Sequence, residues 1–156
     1  MTNLNELLNE FKESINDTSK DFIFDYSANS SAYICDAISE CADSKVDIYY
    51  SDRAKWFGEH WDLVNDANDE LGSTGDVMQD IAQAQFLCYS NELYSDIENI
   101  ILALACEYLI NNGLEELSEE QHTNLNLMTY EIDSNSNFDD IADYCNENIL
   151  HKGGEE

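Results

Sequence analysis

Apolar residues recur at three- and four-residue intervals along most of this chain, a period that predicts helices rather than strands. The strongest such segment is Asn91–Gly113. Leu93, Ile97, Ile100, Ile101, Leu104 and Tyr108 keep helical spacing there, and Leu102, Ala103, Ala105, Cys106, Leu109 and Ile110 fill the other sides. A helix apolar nearly all round belongs at the centre of a domain. Asn111-Asn112-Gly113 offers it a C-cap, with glycine taking the left-handed turn.

The remaining elements are expected around that helix. Asn3–Lys20 predicts an amphipathic helix with Leu4, Leu7, Leu8, Phe11 and Ile15 inward. Thr2 or Asn3 caps it, and Glu6 stands at capping-box distance from Asn3. Asp21–Tyr26 and Val46–Tyr50 read as short strands or extended links. Ser30–Asp43 predicts a second helix with Ala32, Cys35, Ile38 and Cys41 inward. Ser51-Asp52 is an N-cap for the helix carrying Trp56 and Phe57. Gly58 is expected to separate that helix from His60–Leu71, where Trp61, Val64, Ala67 and Leu71 face in. Gly72-Ser73-Thr74-Gly75 is the clearest turn.

Asp76–Tyr89 is helical, with Val77, Ile81, Ala84 and Cys88 inward. Leu114–Leu117 reads as a linker. Ser118 then opens a helix to about Glu131, with Gln121 at capping-box spacing. Asp133–Asn137 is a polar loop. Phe138–Leu150 is the last helix, with Ile141, Tyr144, Cys145 and Ile149 inward, and His151–Glu156 reads as a frayed tail. The fold class predicted is mainly α: one helical bundle, residues 1–156, around a single buried central helix. One small β element stays open at Asp21–Tyr26 and Val46–Tyr50.

Composition supports a folded core. Of 156 residues, 43% are hydrophobic and 11% aromatic, and there is no proline. Helices therefore meet few breakers, which argues against a turn-rich sandwich or barrel. The start, MTNLNELLNEF, lacks the basic region and apolar run of a secretory signal. Ile100–Cys106, the longest apolar run, falls far short of the ~20 residues that span a bilayer. The five cysteines include no CxxC pair. Each lies in an apolar helical context, so reduced core thiols in a cytoplasmic protein are expected.

Charge changes the picture more than composition does. The formal net charge is −28, from 34 acidic and 6 basic residues. Trp56 through His151 holds no Lys or Arg, yet 21 acidic residues lie there. Ordinary surface helices gain a few tenths of a kcal/mol from each i,i+4 pair of opposite sign. Here that gain is forgone and self-repulsion replaces it. A bland reading remains, in which each stripe is a solvated face of a very soluble protein. Solubility, however, needs a net charge of only ~2–8 in a small domain.

Most specific chemistry finds no footing. Asp133, Asn135, Asn137 and Asp139 match the early positions of a calcium loop. Phe138 and Tyr144 occupy the places that need Gly and Glu. His60, His122 and His151 stand apart, with no zinc-type cysteine spacing. There is no phosphate loop or nucleophile motif, and the charge excludes binding nucleic acid through a basic patch. No metal, cofactor or catalytic residue is therefore assigned. Carboxylates four apart on a helix are about 6 Å apart along its axis, a spacing of the order of neighbouring phosphates. Rows of them can engage Arg and Lys through charge-assisted hydrogen bonds.

Acidity with almost no compensating Lys, on a small helical body, resembles the DNA-mimic anti-defence proteins of phages and mobile elements, which include anti-CRISPR and anti-restriction proteins. VDIYYSDRAKWFGEHWDLVNDANDELG (Val46–Gly72) and IAQAQFLCYSNELYSDIENIILALACEYLI (Ile81–Ile110) resemble small acidic proteins of Gram-positive mobile elements. SNFDDIADYCNENIL (Ser136–Leu150) is similar to an acidic helix of the ArdA-type anti-restriction family. The first half departs from that pattern, so the family's elongated dimer is not carried over, and a homodimer stays an open alternative. The resemblance implies a non-enzymatic inhibitor of a host defence nuclease, a CRISPR effector or a restriction enzyme, acting in the host cytoplasm.

The residues expected to meet such a basic partner are Asp62, Asp66, Asp69, Glu70, Asp76 and Asp80. Glu115, Glu116, Glu119 and Glu120 follow, then Asp139, Asp140, Asp143 and Glu147. Tyr49 and Tyr50 are candidate aromatic anchors. Two other classes are weighed: an acidic module for a different basic protein, such as a transcription factor or histone-like protein, and an enzyme with an unrecognised site.

Overall fold

The computed structural model describes residues 1–26, 32–48 and 53–151. Tyr49, Tyr50 and the Ser51-Asp52 cap lie outside the described residues, as do residues 152–156. The fold is mainly α, as the periodicity predicts. In order come β1 (Thr2–Asn3), α1 (Leu4–Glu13), α2 (Asp17–Tyr26), α3 (Ile34–Ile48), α4 (Arg53–Glu59), α5 (Trp61–Leu71), α6 (Val77–Ser95) and α7 (Ile97–Asn111). Then follow β2 (Glu116–Leu117), α8 (Glu119–Leu127), a 3-10 turn (Met128–Tyr130) and α9 (Phe138–Asn148).

The buried centre is α7. Ile100 through Cys106 are all buried, as is Leu109. Around α7 pack α1, α2, α8 and α9. They contribute Leu4, Leu7, Phe22, Ile23, Leu125, Phe138, Ile141 and Cys145 to one apolar core. A smaller core of Val64, Ala67, Ile81 and Ala84 sits between α5 and α6, flanked by Trp56, Phe57 and Leu87. The 19-residue α6 belongs to both: its first half supplies Ile81 and Ala84 to the small core, and Leu93 near its end joins the large one.

Several expectations are corrected. The single central helix Asn91–Gly113 is two: Asn91–Ser95 end α6, and α7 begins after Asp96. The single helix Asn3–Lys20 also breaks, at Ser14–Asn16, and Asp21–Tyr26 is helical rather than a strand. The two breaks share a cause. Asp96 Oδ2 accepts from the Asn16 backbone N–H at 3.0 Å, from Asn16 Nδ2 at 2.7 Å and from Ser19 Oγ at 2.8 Å. Asn16 Oδ1 in turn accepts from the Ser19 N–H at 3.1 Å, capping α2. One knot of polar side chains thus satisfies backbone groups that a chain break would leave orphaned.

Val46–Ile48 extends α3 rather than forming a strand. The small sheet lies elsewhere: Thr2 and Asn3 pair antiparallel with Leu117 and Glu116, inside the segment read as a linker. Gly58 lies within α4, and the chain leaves helical geometry at His60 instead (φ −135°). The His60 ring stacks on Trp56 with centroids 4.4 Å apart, and its Nδ1 lies 2.9 Å from the Trp56 carbonyl. Trp56 therefore packs on the small core, while Trp61 turns out to solvent, 59% exposed. Leu71 and Val77, expected inside, are exposed as well.

Caps behave as the side chains dictate. Asn3 caps α1, Asp76 caps α6, and Ser118–Gln121 closes a reciprocal capping box on α8. Asn137 and Asp140 form a second such box on α9. The polar loop does more than connect. The carbonyls of Ser134 and Ser136 accept from the N–H groups of Cys35 and Ile34, closing the start of α3. Asp133 Oδ1 accepts from the Asn135 N–H, so the residues that mimic a calcium loop serve as a turn and a cap.

Candidate partner-binding faces

The predicted contact acids fall on two parts of the molecule, one on α5 and the start of α6, the other on β2, α8 and α9. Asp62, Asp66, Asp69 and Glu70 project from α5, beside Asp76 at the start of α6. Glu115, Glu116, Glu119 and Glu120 surround β2 and the start of α8, and Asp139, Asp140, Asp143 and Glu147 lie on α9. α5 packs on α6, whereas α8 and α9 pack on each other and on α7. The acids are therefore not gathered into one ridge along one helix.

Twelve of these fourteen residues are exposed. Asp140 is half-buried, and its carboxylate accepts from the Asn137 N–H at 3.0 Å within the capping box. Asp80 departs furthest from expectation, being only 7% exposed. Its two oxygens accept from the Thr74 N–H, the Thr74 hydroxyl and the Ser73 hydroxyl at 2.7–2.8 Å. The Thr74 N–H does most to hold the Asp80 carboxyl below the usual aspartate range; the two hydroxyls add to it and desolvation opposes. Asp80 staples the Gly72–Gly75 turn onto α6 and is not available to a partner.

Local structure accounts for part of the remainder. Asp76 Oδ1 accepts from the Met78 and Gln79 N–H groups as the α6 cap. Asp62, Glu119, Glu120 and Asp139 occupy first turns, where the positive end of the helix dipole favours an anion by about 0.3–1 kcal/mol. That leaves Asp66, Asp69, Glu70, Glu115, Glu116, Asp143 and Glu147, whose carboxylates make no hydrogen bond or ion pair among the described residues. None of α5–α9 has a basic residue in its last turn. The described ion pairs are Lys12–Glu107, Lys20–Asp17 and Lys45–Asp21, and only the first draws on the Lys/Arg-free stretch.

Each part carries a concavity. Between α5 and α6 lies a groove of about 480 Å³ lined by Leu63, Ala67, Ala84 and Leu87, together with Asp66, Glu70 and Glu92. Glu92 Oε1 accepts from the Thr18 hydroxyl at 2.7 Å, which fixes the side chain. Burial pushes the Cys88 thiol in this groove up, and the Glu92 carboxylate adds to the shift. A second, smaller hollow of about 250 Å³ on α9 is bordered by Glu131, Asp140, Asp143 and Glu147. Periodicity identifies Asp66 and Glu70 and puts Ala67 and Ala84 inward, but it identifies neither Glu92 nor the groove itself, because those depend on how two helices pack.

The cysteines Cys35, Cys41, Cys88, Cys106 and Cys145 are free thiols. Burial pushes Cys106 and Cys145 up to about 12, which leaves them inert as nucleophiles at neutral pH. Among the described residues no three His, Cys, Asp or Glu stand where they could hold a metal ion. Nor is any helix among them long and apolar enough to cross a membrane. No protein-family model matches the chain, and no curated protein or solved structure matches it.

Proposed function

We propose that this protein is a non-enzymatic anionic decoy. It occupies the nucleic-acid groove of a basic protein, of which a host defence nuclease of the CRISPR or restriction type is the leading case. The observation that carries the reading is the set of exposed carboxylates left without structural work: Asp66, Asp69 and Glu70 on α5, Glu115 and Glu116 at β2, and Asp143 and Glu147 on α9. Duplex DNA places one charge per ~1.7 Å of axis and attracts grooves lined with Lys and Arg. Stripes such as Asp62–Asp66–Glu70 and Asp139–Asp143–Glu147, spaced about 6 Å along rigid helices, offer the same groups a substitute. Long-range attraction would also speed capture.

The test is DNA competition against a panel of Cas9-type and restriction nucleases at low and physiological salt. The decoy displaces DNA from at least one of them, and less well as salt rises, since the attraction is screened. DNA binding that is unchanged across the panel removes the reading. Tight binding to a transcription factor or histone-like protein, without effect on any nuclease, would instead favour an acidic interaction module.

A further inference from the structure

The two acidic parts of the molecule are not equivalent. The α9 hollow is smaller and lined mostly by polar residues. The α5–α6 groove is lined by apolar Leu63, Ala67, Ala84 and Leu87 together with three carboxylates. At about 480 Å³ it falls within the ~300–1,000 Å³ range of sites that enclose a ligand group. Within it Leu63 is itself 37% exposed, so apolar surface is open to solvent beside the carboxylates.

We infer that this groove is the docking site for an arginine-bearing amphipathic segment of the partner protein. The inference rests on the decoy reading and names where the partner's anchor sits. An arginine is amphipathic along its own length: an aliphatic stem covers apolar surface while the guanidinium reaches for anions. The groove is complementary in that order. Leu63, Ala67 and Leu87 take the stem and the segment's apolar side. Asp66 and Glu70, one helical turn apart on α5, and Glu92 on α6 meet the guanidinium.

None of these three carboxylates has a cation of its own among the described residues. Glu92 spends Oε1 on Thr18 and keeps Oε2 for a partner. Arginine suits the site better than lysine because its planar fork bonds two oxygens at once, whereas an ammonium is a strongly hydrated point charge. Anchors of this kind, fully desolvated within a ring of weaker contacts, dominate binding energy at interfaces.

The experiment uses the full chain, ¹⁵N-labelled, titrated with a synthetic amphipathic peptide that carries leucine on one face and arginine on the other. Lysine and glutamine versions of the same peptide serve as comparisons. The arginine peptide shifts amides of Leu63–Glu70 and Ala84–Ser95, binds more tightly than the lysine peptide, and the glutamine peptide does not bind. Glu70→Gln with Glu92→Gln weakens it about tenfold or more. Asp139→Asn with Asp143→Asn and Glu147→Gln weakens it less than about threefold, a screened long-range effect.

Amide spectra of the free variants establish that they fold. Shifts spread evenly over α8 and α9, or equal weakening by both sets of substitutions, overturns the inference. So does a groove variant that still displaces DNA from the nuclease at full strength, which leaves the decoy reading standing. Peptide capture in the groove by a protein that displaces no DNA upholds the groove and removes the decoy reading alone.

Discussion

Asn16 and Asp96, eighty positions apart, are joined through a single carboxylate oxygen that accepts both the Asn16 backbone N–H and its side-chain amide. This pair locks the α1–α2 corner onto the α6–α7 corner. It also orients α2, and α2 carries Thr18, whose hydroxyl steadies Glu92 at the edge of the α5–α6 groove. A stability element and the candidate site thus share one small polar cluster.

Asn16→Ala removes the amide bond to the carboxylate and the cap on the Ser19 N–H. Hydrogen bonds to charged groups contribute about 1.5–3 kcal/mol each and a cap about 1 kcal/mol. The variant is expected to lose about 2–3 kcal/mol of unfolding free energy in urea, with an unchanged slope. A loss under about 0.5 kcal/mol would show that the corner is held by apolar packing instead.

Asp80 supplies a pH-dependent contribution whose sign is set by its depressed folded-state pKa. A carboxylate easier to ionise in the folded chain than at its unfolded value of 3.8 stabilises the fold above that value. The contribution disappears as pH falls through the lower, folded value. Asp80→Asn is therefore expected to melt below the parent at pH 7, and the gap should close progressively as pH drops below 3.8. A gap that stays constant over that range would mean that the variant loses packing or geometry that does not depend on the charge of Asp80.

The net charge of −28 predicts a response to salt. Raising ionic strength from about 0.01 M to 0.15 M shortens the screening length from about 30 to 8 Å, which relieves repulsion between neighbouring stripes. Scanning calorimetry should show the melting temperature rising over that interval. A flat response would mean that the carboxylates are too dispersed to act as one field.

Much of this architecture can be read from spacing alone. The apolar period locates α5, α7 and α9, Ser118–Gln121 marks the start of α8, and Gly72–Gly75 marks the turn. The errors fall where a distant partner overrides local pattern. Asn91–Gly113 reads as one helix because nothing local announces that Asp96 will be claimed by Asn16 and Ser19. DFIFDY resembles a strand because Phe and Ile dominate it, yet the neighbours Phe22 and Ile23 are both buried. Successive strand residues would point to opposite faces.

The same division holds for the candidate site. Asp62, Asp66 and Glu70 are legible as one stripe because helical geometry alone puts them there. Asp80 is not, since its burial depends on the preceding turn folding back over it. Glu92 and the groove itself are legible only from the packing of α6 against α5 and α2.

The double membership of α6 has a consequence for any shortened version of the chain. Cutting away α4 and α5 would strip the cover from Ile81 and Ala84 while Leu93 kept the other end of the rod pinned. The result would be a greasy stub jutting from a sound body, prone to sticking to its own kind. The segment that bears the groove thus also shields the rest of the molecule, so losing the binding surface and losing good behaviour in solution would come together.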